Sequence, residues 1–137
     1  MYPVHLNPNV KKPVKKILDN INNIKLIEPL EYKLFVYLMK HSYLVLTDSG
    51  GLQEEAPSFR KPVLVMRNVT ERIEAIKSKT IKLVGTDQNK IINGVSLLLK
   101  NKKYFKLMSR ANNPYGDGLA CKRIVASLKN ITLNKNS

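Results

Sequence analysis

The feature that most constrains the fold is a repeated change of period. Short unbroken apolar runs alternate with segments whose apolar residues recur at helical spacing. YLVLTD, KPVLVMR and TIKLVG are three such runs, and runs of this kind read as parallel strands buried on both faces. Between and after them, GLQEEAPSF, TERIEAI and TDQNKIINGVSLLLKN have helical length and spacing, with Thr86 or Asp87 suited to cap the last of them. Upstream, YPVHL closed by Asn7-Pro8 and a brief IKLIEP stopped by Pro29 add two further runs, ended by breakers. VKKPVKKILDNINN sets Val14, Ile17, Leu18 and Ile21 on a stripe opposite its lysines, and LEYKLFVYLMKHS does the same with Leu34, Phe35, Leu38 and Met39. Two more amphipathic helices are expected over about 102–110 and 118–129.

Strands alternating with helices predict an α/β chain with a parallel sheet covered by helices on both faces, because parallel neighbours need crossover connections of this length. Such sheets bind ligands outside the carboxyl ends of their strands. The connections of interest all follow strands: His5 to Pro8, Glu28 to Glu31, Asp48 to Gly51, and Arg67 to Arg72. At 137 residues and 43% hydrophobic content, the chain can bury one core. The expectation is one domain over 1–130, with 131–137 as a frayed tail.

The formal charge of +14, from 24 Lys+Arg against 10 Asp+Glu, fits a nucleic acid, an anionic membrane or a phosphate-bearing substrate. The basic residues are mostly scattered lysines, and only 7% of residues are aromatic. The basic stripe interleaved with stacking aromatics that marks a nucleic-acid reader is missing, so nucleic acid is not the expected partner. The single Cys121 rules out an internal disulfide, fits a reducing compartment, and reads most simply as a small helix residue. No apolar run reaches the roughly 20 residues a membrane helix needs, and the N-terminus lacks a secretory pattern. A cytoplasmic protein without a membrane partner is expected.

Ser49, Gly50 and Gly51 stand where a strand turns into a helix. Paired glycines let the backbone approach a ligand closely, and the helix start offers free amides to a phosphate. An ordinary tight turn between strand and helix uses the same residues. Gln53, Glu54 and Glu55 follow in the first turns, where acids also suit the helix dipole; Glu55, one turn past Gly51, is placed to accept both hydroxyls of a ribose. Arg67 and Arg72 either pair with nearby acids such as Glu71 and Glu74 or reach a phosphate as forked donors. His5 and Phe35 read more simply as a rim histidine and a core aromatic. No Ser-His-acid spacing and no His/Cys cluster points to a triad or a metal.

YPVHLNPNV, LVLTDSGGLQEEAPS, KPVLVMRNVTER, KLVGTD and NPYGDG, in this order, resemble the C-terminal half of the bacterial non-hydrolysing UDP-N-acetylglucosamine 2-epimerases, from Tyr2 to about Asn130. The resemblance implies a Rossmann-like domain corresponding to the C-terminal half of a GT-B fold, incomplete at its N-terminal edge. It implies interconversion of UDP-GlcNAc and UDP-ManNAc for cell-envelope polysaccharide, through elimination of UDP to a 2-acetamidoglucal and re-addition, with no cofactor and no metal. By the same resemblance Ser49, Gly50 and Gly51 match the diphosphate-binding turn, Glu55 the ribose-binding acid, Arg72 an arginine of the UDP-sugar site and Phe35 a residue beside the uracil. His5 matches a histidine that contacts a second, regulatory UDP-GlcNAc in some relatives. Leu30 stands where some relatives use Gln for the base.

Several positions depart from the family pattern. Phe59-Arg60 replaces a usual Leu-Gly, Lys79 replaces a Gly, and Ile73 replaces a Pro. Losing a helix-ending glycine that needs a positive φ should cost about 1 kcal/mol. The proton-transferring residues of the family are expected upstream, so no catalytic residue is assigned in these residues. The alternative to an epimerase is a non-catalytic UDP-sugar-binding module or a subunit of a split enzyme, partnered by a separate N-terminal half or by a second copy.

Overall fold

The computed structural model describes the backbone of residues 1–134 and side chains through 129. The chain divides into two compact units, Met1–His41 and Ser42–Ser137.

In the first unit, strand β1 (Tyr2–Pro3), helix α1 (Pro8–Leu18), strand β2 (Leu26–Ile27) and helix α2 (Tyr32–His41) follow in order. The two strands pair in parallel, Tyr2 opposite Leu26 and Pro3 opposite Ile27. Asn7-Pro8 ends the strand and also starts the helix: the Asn7 side chain accepts from the Asn9 amide at 2.9 Å, and Pro8 takes a first-turn position where its missing N–H costs nothing. Helix α1 stops at Leu18, short of the stripe predicted through Ile21, and Ile17 is exposed. Asp19, Asn20, Asn22 and Asn23 favour turns over continued helix, and the chain turns there through Ile21 N to Leu18 O and Ile24 N to Ile21 O bonds. Lys11 Nζ pairs with Glu28 Oε1 at 2.8 Å, and this bond with the lysine's charge holds the Glu28 carboxyl below its ordinary range.

The second unit runs β3 (Val45–Thr47), α3 (Gly50–Ser58), β4 (Val63–Val65), α4 (Ile73–Lys77), β5 (Ile81–Leu83), α5 (Gln88–Lys100), α6 (Lys102–Ser109) and α7 (Ala120–Asn134). Its strands form a parallel sheet in the order β3-β4-β5, with Val45, Val63 and Ile81 in register. The five predicted strands are therefore all present, in two parallel sheets. Among the described residues, only the central strand β4 is buried throughout; in β3, Leu46 remains 40% exposed, which corrects the expectation that this run is covered on both faces. A strand at the side of a three-stranded sheet has one neighbour and correspondingly less cover.

Leu64, Val84, Leu98 and Met108 form the buried centre, with Leu44, Ile91, Val95, Tyr104 and Phe105 packed around it. Helix α5 reaches this centre through Gly94: a Cβ there would stand 2.9 Å from Val84 Cγ1 and 3.4 Å from Leu64 Cδ1, so a larger residue would force the helix away. Asp87 caps α5 by accepting from the Lys90 amide at 2.9 Å. The last helix packs less than its sequence stripe predicts, since Ile124, Val125 and Leu128 are exposed. It extends to Asn134, and of the tail predicted to fray, 135–137 lie outside the described residues. Among the described residues, no helix is long and apolar enough to cross a membrane.

Two helices end in the same way. After α3, the Arg60 amide bonds to Pro57 O at 2.9 Å and the Lys61 amide to Ala56 O at 3.4 Å; after α4, Lys79 bonds to Ile76 O at 3.0 Å and Thr80 to Ala75 O at 3.1 Å. Both are Schellman closures, which place one residue in the left-handed region. That residue is Arg60, φ 57°, in the first and Lys79, φ 63°, in the second. These are the positions where the resemblance led us to expect a missing glycine.

Candidate functional site

The carboxyl ends of β3 and β4 carry the candidate site, because each strand releases its chain there into a helix. At the end of β3 the buried Thr47 turns its hydroxyl back to accept the Ser49 amide at 3.0 Å. Ser49 is extended (φ −70°, ψ 135°) and its own hydroxyl makes no capping bond. The first amides of α3 have no partners within the helix, as at any helix start, and Gly50 and Gly51 put no side chain beside them.

From the end of β4, Arg72 reaches over this turn. A Cβ on Gly50 would stand 3.3 Å from Arg72 Nη2 and 3.4 Å from Cζ; glycine thus lets the guanidinium lie closer to the backbone than a side chain would. Arg72 donates to Glu54 Oε1 from Nε at 2.9 Å and from Nη2 at 2.8 Å, while Nη1 meets Glu71 Oε1. Arg67 donates from Nε to the Asp48 carbonyl and lies 3.7 Å from Glu71. The local pairing proposed from sequence is therefore realised through Glu71, and Glu54, from the neighbouring helix, adds a partner that spacing along the chain could not supply. These carboxylates are partly exposed, and ion pairs of that kind contribute at most about 1 kcal/mol, so an anionic ligand can compete for the same guanidinium.

Glu55 lies one turn along α3, where a Cβ on Gly51 would be 3.8 Å from its Oε1. The structure thus gathers Ser49, Gly50, Gly51, Glu55 and Arg72 at one strand-end turn. His5 and Phe35 belong to the first unit. His5 is exposed, and its Nδ1 accepts the Asn7 amide at 3.1 Å; Phe35 is half-buried on α2. Leu30, also half-buried, precedes that helix.

Two features went unassigned in the sequence. Gln53 is completely buried: its Nε2 donates to Ser49 O at 3.2 Å and its Oε1 accepts from Thr70 Oγ1 at 2.7 Å. A polar residue inside the apolar stripe of a short helix was the only trace of this role in the sequence. Tyr115, from the NPYGDG segment, has its phenol pushed up, first by burial and then by the Glu54 carboxylate, against the opposing effect of Arg72. The same segment is anchored by Asn113 Nδ2 donating to Ser58 Oγ at 2.9 Å. Among the described residues, no three His, Cys, Asp or Glu side chains gather as a metal ion would require.

The chemistry of this turn can suit an anion that displaces the acids on Arg72: helix-start amides, a hydroxyl without a capping bond and a guanidinium lie together, with a carboxylate one helical turn away for neutral hydroxyls. Comparison with known proteins identifies the family of the chain. Residues 1–129 match the family model described as UDP-N-acetylglucosamine 2-epimerase. A Yersinia pestis protein named UDP-N-acetylglucosamine 2-epimerase is 62% identical over 130 residues, 95% of this chain and 35% of that protein. The crystal structure of UDP-GlcNAc 2-epimerase from Neisseria meningitidis bound to UDP-GlcNAc superposes with a TM-score of 0.85 at 51% identity, over 93% of this chain and 35% of that one. The S. aureus MnaA–UDP structure superposes with a TM-score of 0.89 at 48% identity, over 97% and 36%. The chain therefore spans about a third of the length of the relatives it matches.

Proposed function

Because the chain belongs to the UDP-N-acetylglucosamine 2-epimerase family, we propose that it is the nucleotide-binding portion of an enzyme interconverting UDP-GlcNAc and UDP-ManNAc. The observation that carries this reading is the Arg72 guanidinium lying against Gly50 at the start of α3. It offers a forked donor and free helix amides at one point, a combination suited to a diphosphate.

On this reading Ser49, Gly50, Gly51 and Arg72 hold the diphosphate, and Glu55 accepts the ribose hydroxyls. Phe35 lies beside the uracil, and His5 contacts a second UDP-GlcNAc where such regulation exists. The residues assigned here bind and orient. Proton transfer at the sugar, in the elimination of UDP to a 2-acetamidoglucal and its re-addition, is not assigned to any of them. The enzyme would act in the cytoplasm, feed cell-envelope polysaccharide, and work with a separate N-terminal half or as a homodimer.

Isothermal titration with UDP tests the reading. Saturable binding is expected, and Glu55→Ala should weaken it by about tenfold or more, since hydrogen bonds to a charged group contribute about 1.5–3 kcal/mol each. Absence of any heat at millimolar UDP would sink the proposal. Incubation of this chain alone with UDP-GlcNAc should yield no UDP-ManNAc.

A further inference from the structure

We propose that Gln53 is a positioning residue for the diphosphate, a buried strut that fixes the Ser49-Gly50-Gly51 turn relative to Arg72; this deepens the function proposed above and rests on it. Gln53 is wholly inaccessible to solvent, and its amide is used at both ends. Nε2 holds the Ser49 carbonyl at 3.2 Å. Oε1 accepts the Thr70 hydroxyl proton at 2.7 Å, and the same Thr70 oxygen accepts the Arg72 amide at 3.2 Å. The two strand-end connections are thereby joined through one path: Ser49 carbonyl, Gln53 amide, Thr70 hydroxyl, Arg72 backbone.

This strut differs from the ion pairs around it. The acids that hold the Arg72 side chain are partly exposed and can be displaced by an anion. Gln53 instead fixes the backbone from which Arg72 projects, from inside the protein, where an unmade hydrogen bond is costly and a made one is rigid. It also fills a place where a merely apolar residue would pack, so the polar choice needs a reason, and alignment of two anion-binding elements supplies one. The effect should fall on the phosphates and spare the nucleoside, because the strut touches the turn and the arginine connection and does not run through Glu55.

The test compares UDP with uridine on the full chain. Gln53→Met keeps length and volume while removing both bonds; Thr70→Val removes the hydroxyl that relays to Arg72. Each variant should weaken UDP binding by about tenfold, as expected when the buried path between turn and arginine is broken, with uridine affinity changed less than about twofold. The double variant should lose no more than either single one, because both break the same path. A general loosening of the fold would weaken both ligands together. Equal losses for UDP and uridine, an unchanged UDP affinity in folded protein, or multiplicative losses in the double variant would each overturn the strut. Should Gln53→Met fail to fold, Thr70→Val decides by the same ratio. If the unaltered chain binds no UDP, the nucleotide reading falls and the strut with it; normal binding with an unchanged ratio defeats the strut alone.

Discussion

The two ends of helix α3 are built to opposite standards. At its start, a glycine stands where another group comes close: Gly50 lies against the Arg72 guanidinium, and a buried glutamine ties the turn to the next connection. At its end, an arginine occupies the left-handed position of a Schellman closure, φ 57°, which glycine adopts without steric cost. The contrast shows where the chain tolerates strain. A residue with a Cβ in that conformation costs about 1 kcal/mol, whereas a Cβ on Gly50 would stand 3.3 Å from Arg72 Nη2 and oblige the guanidinium to shift.

The largest effect should come from crossing this contrast at the binding end. Gly50→Val places side-chain atoms where the guanidinium lies and should lower UDP affinity by about tenfold or more, roughly 1.4 kcal/mol, while the melting temperature changes little. A fall in both quantities together would mean that the turn is structural first, and the comparison would break. Restoring glycine at the other end should do the reverse. Arg60→Gly should stabilise by about 1 kcal/mol, on the order of 4 °C in melting temperature, with UDP affinity unchanged. Lys79→Gly should give a similar gain after α4, and the two gains should add. Failure of both variants to stabilise in denaturant titration would show that the left-handed conformation is compensated by contacts of the side chains themselves.

The smallest effect concerns the loop beside the strained end. Asp117 receives both terminal guanidinium nitrogens of Arg123, at 2.6 and 2.9 Å, and this bond first, with the Leu119 amide next, holds its carboxyl below the ordinary aspartate range. A depressed carboxylate contributes stability above its unfolded value and loses it as pH falls through the folded one. Acidification below the ordinary aspartate range should therefore release the pair. The pair is exposed, so the effect on global stability should be small. NMR titration of the Asp117 carboxyl should place its midpoint below that of a model aspartate; a midpoint at the model value would dissociate the pair in solution.

Much of the site was legible in the residues themselves. Strand followed by Ser-Gly-Gly and acids predicted a turn between strand and helix, and the structure has that turn, with Arg72 beside Gly50 and Glu55 one helical turn on. The period of α5 also came through, as did the unbroken apolar run of β4. The failures have separate causes. The predicted stripe through Ile21 ran across a cluster of Asn and Asp whose local hydrogen bonds prefer turns, and the stripe of α7 predicted burial where Ile124, Val125 and Leu128 are exposed. Burial of Leu46 was misjudged because a run of apolar residues carries no information on its place in the sheet order.

By itself the sequence determined the alternation of strand and helix, the glycine turn at the end of β3, and the positions where a missing glycine would strain the backbone. These depend on local period and on what a Cβ permits, both written residue by residue. The tertiary structure alone decided that Arg72 pairs with Glu54 across two connections and that Gln53 is the buried tie between them. Partners 17 and 18 positions apart meet only because parallel strands bring successive carboxyl ends side by side, and no property of either residue records that meeting.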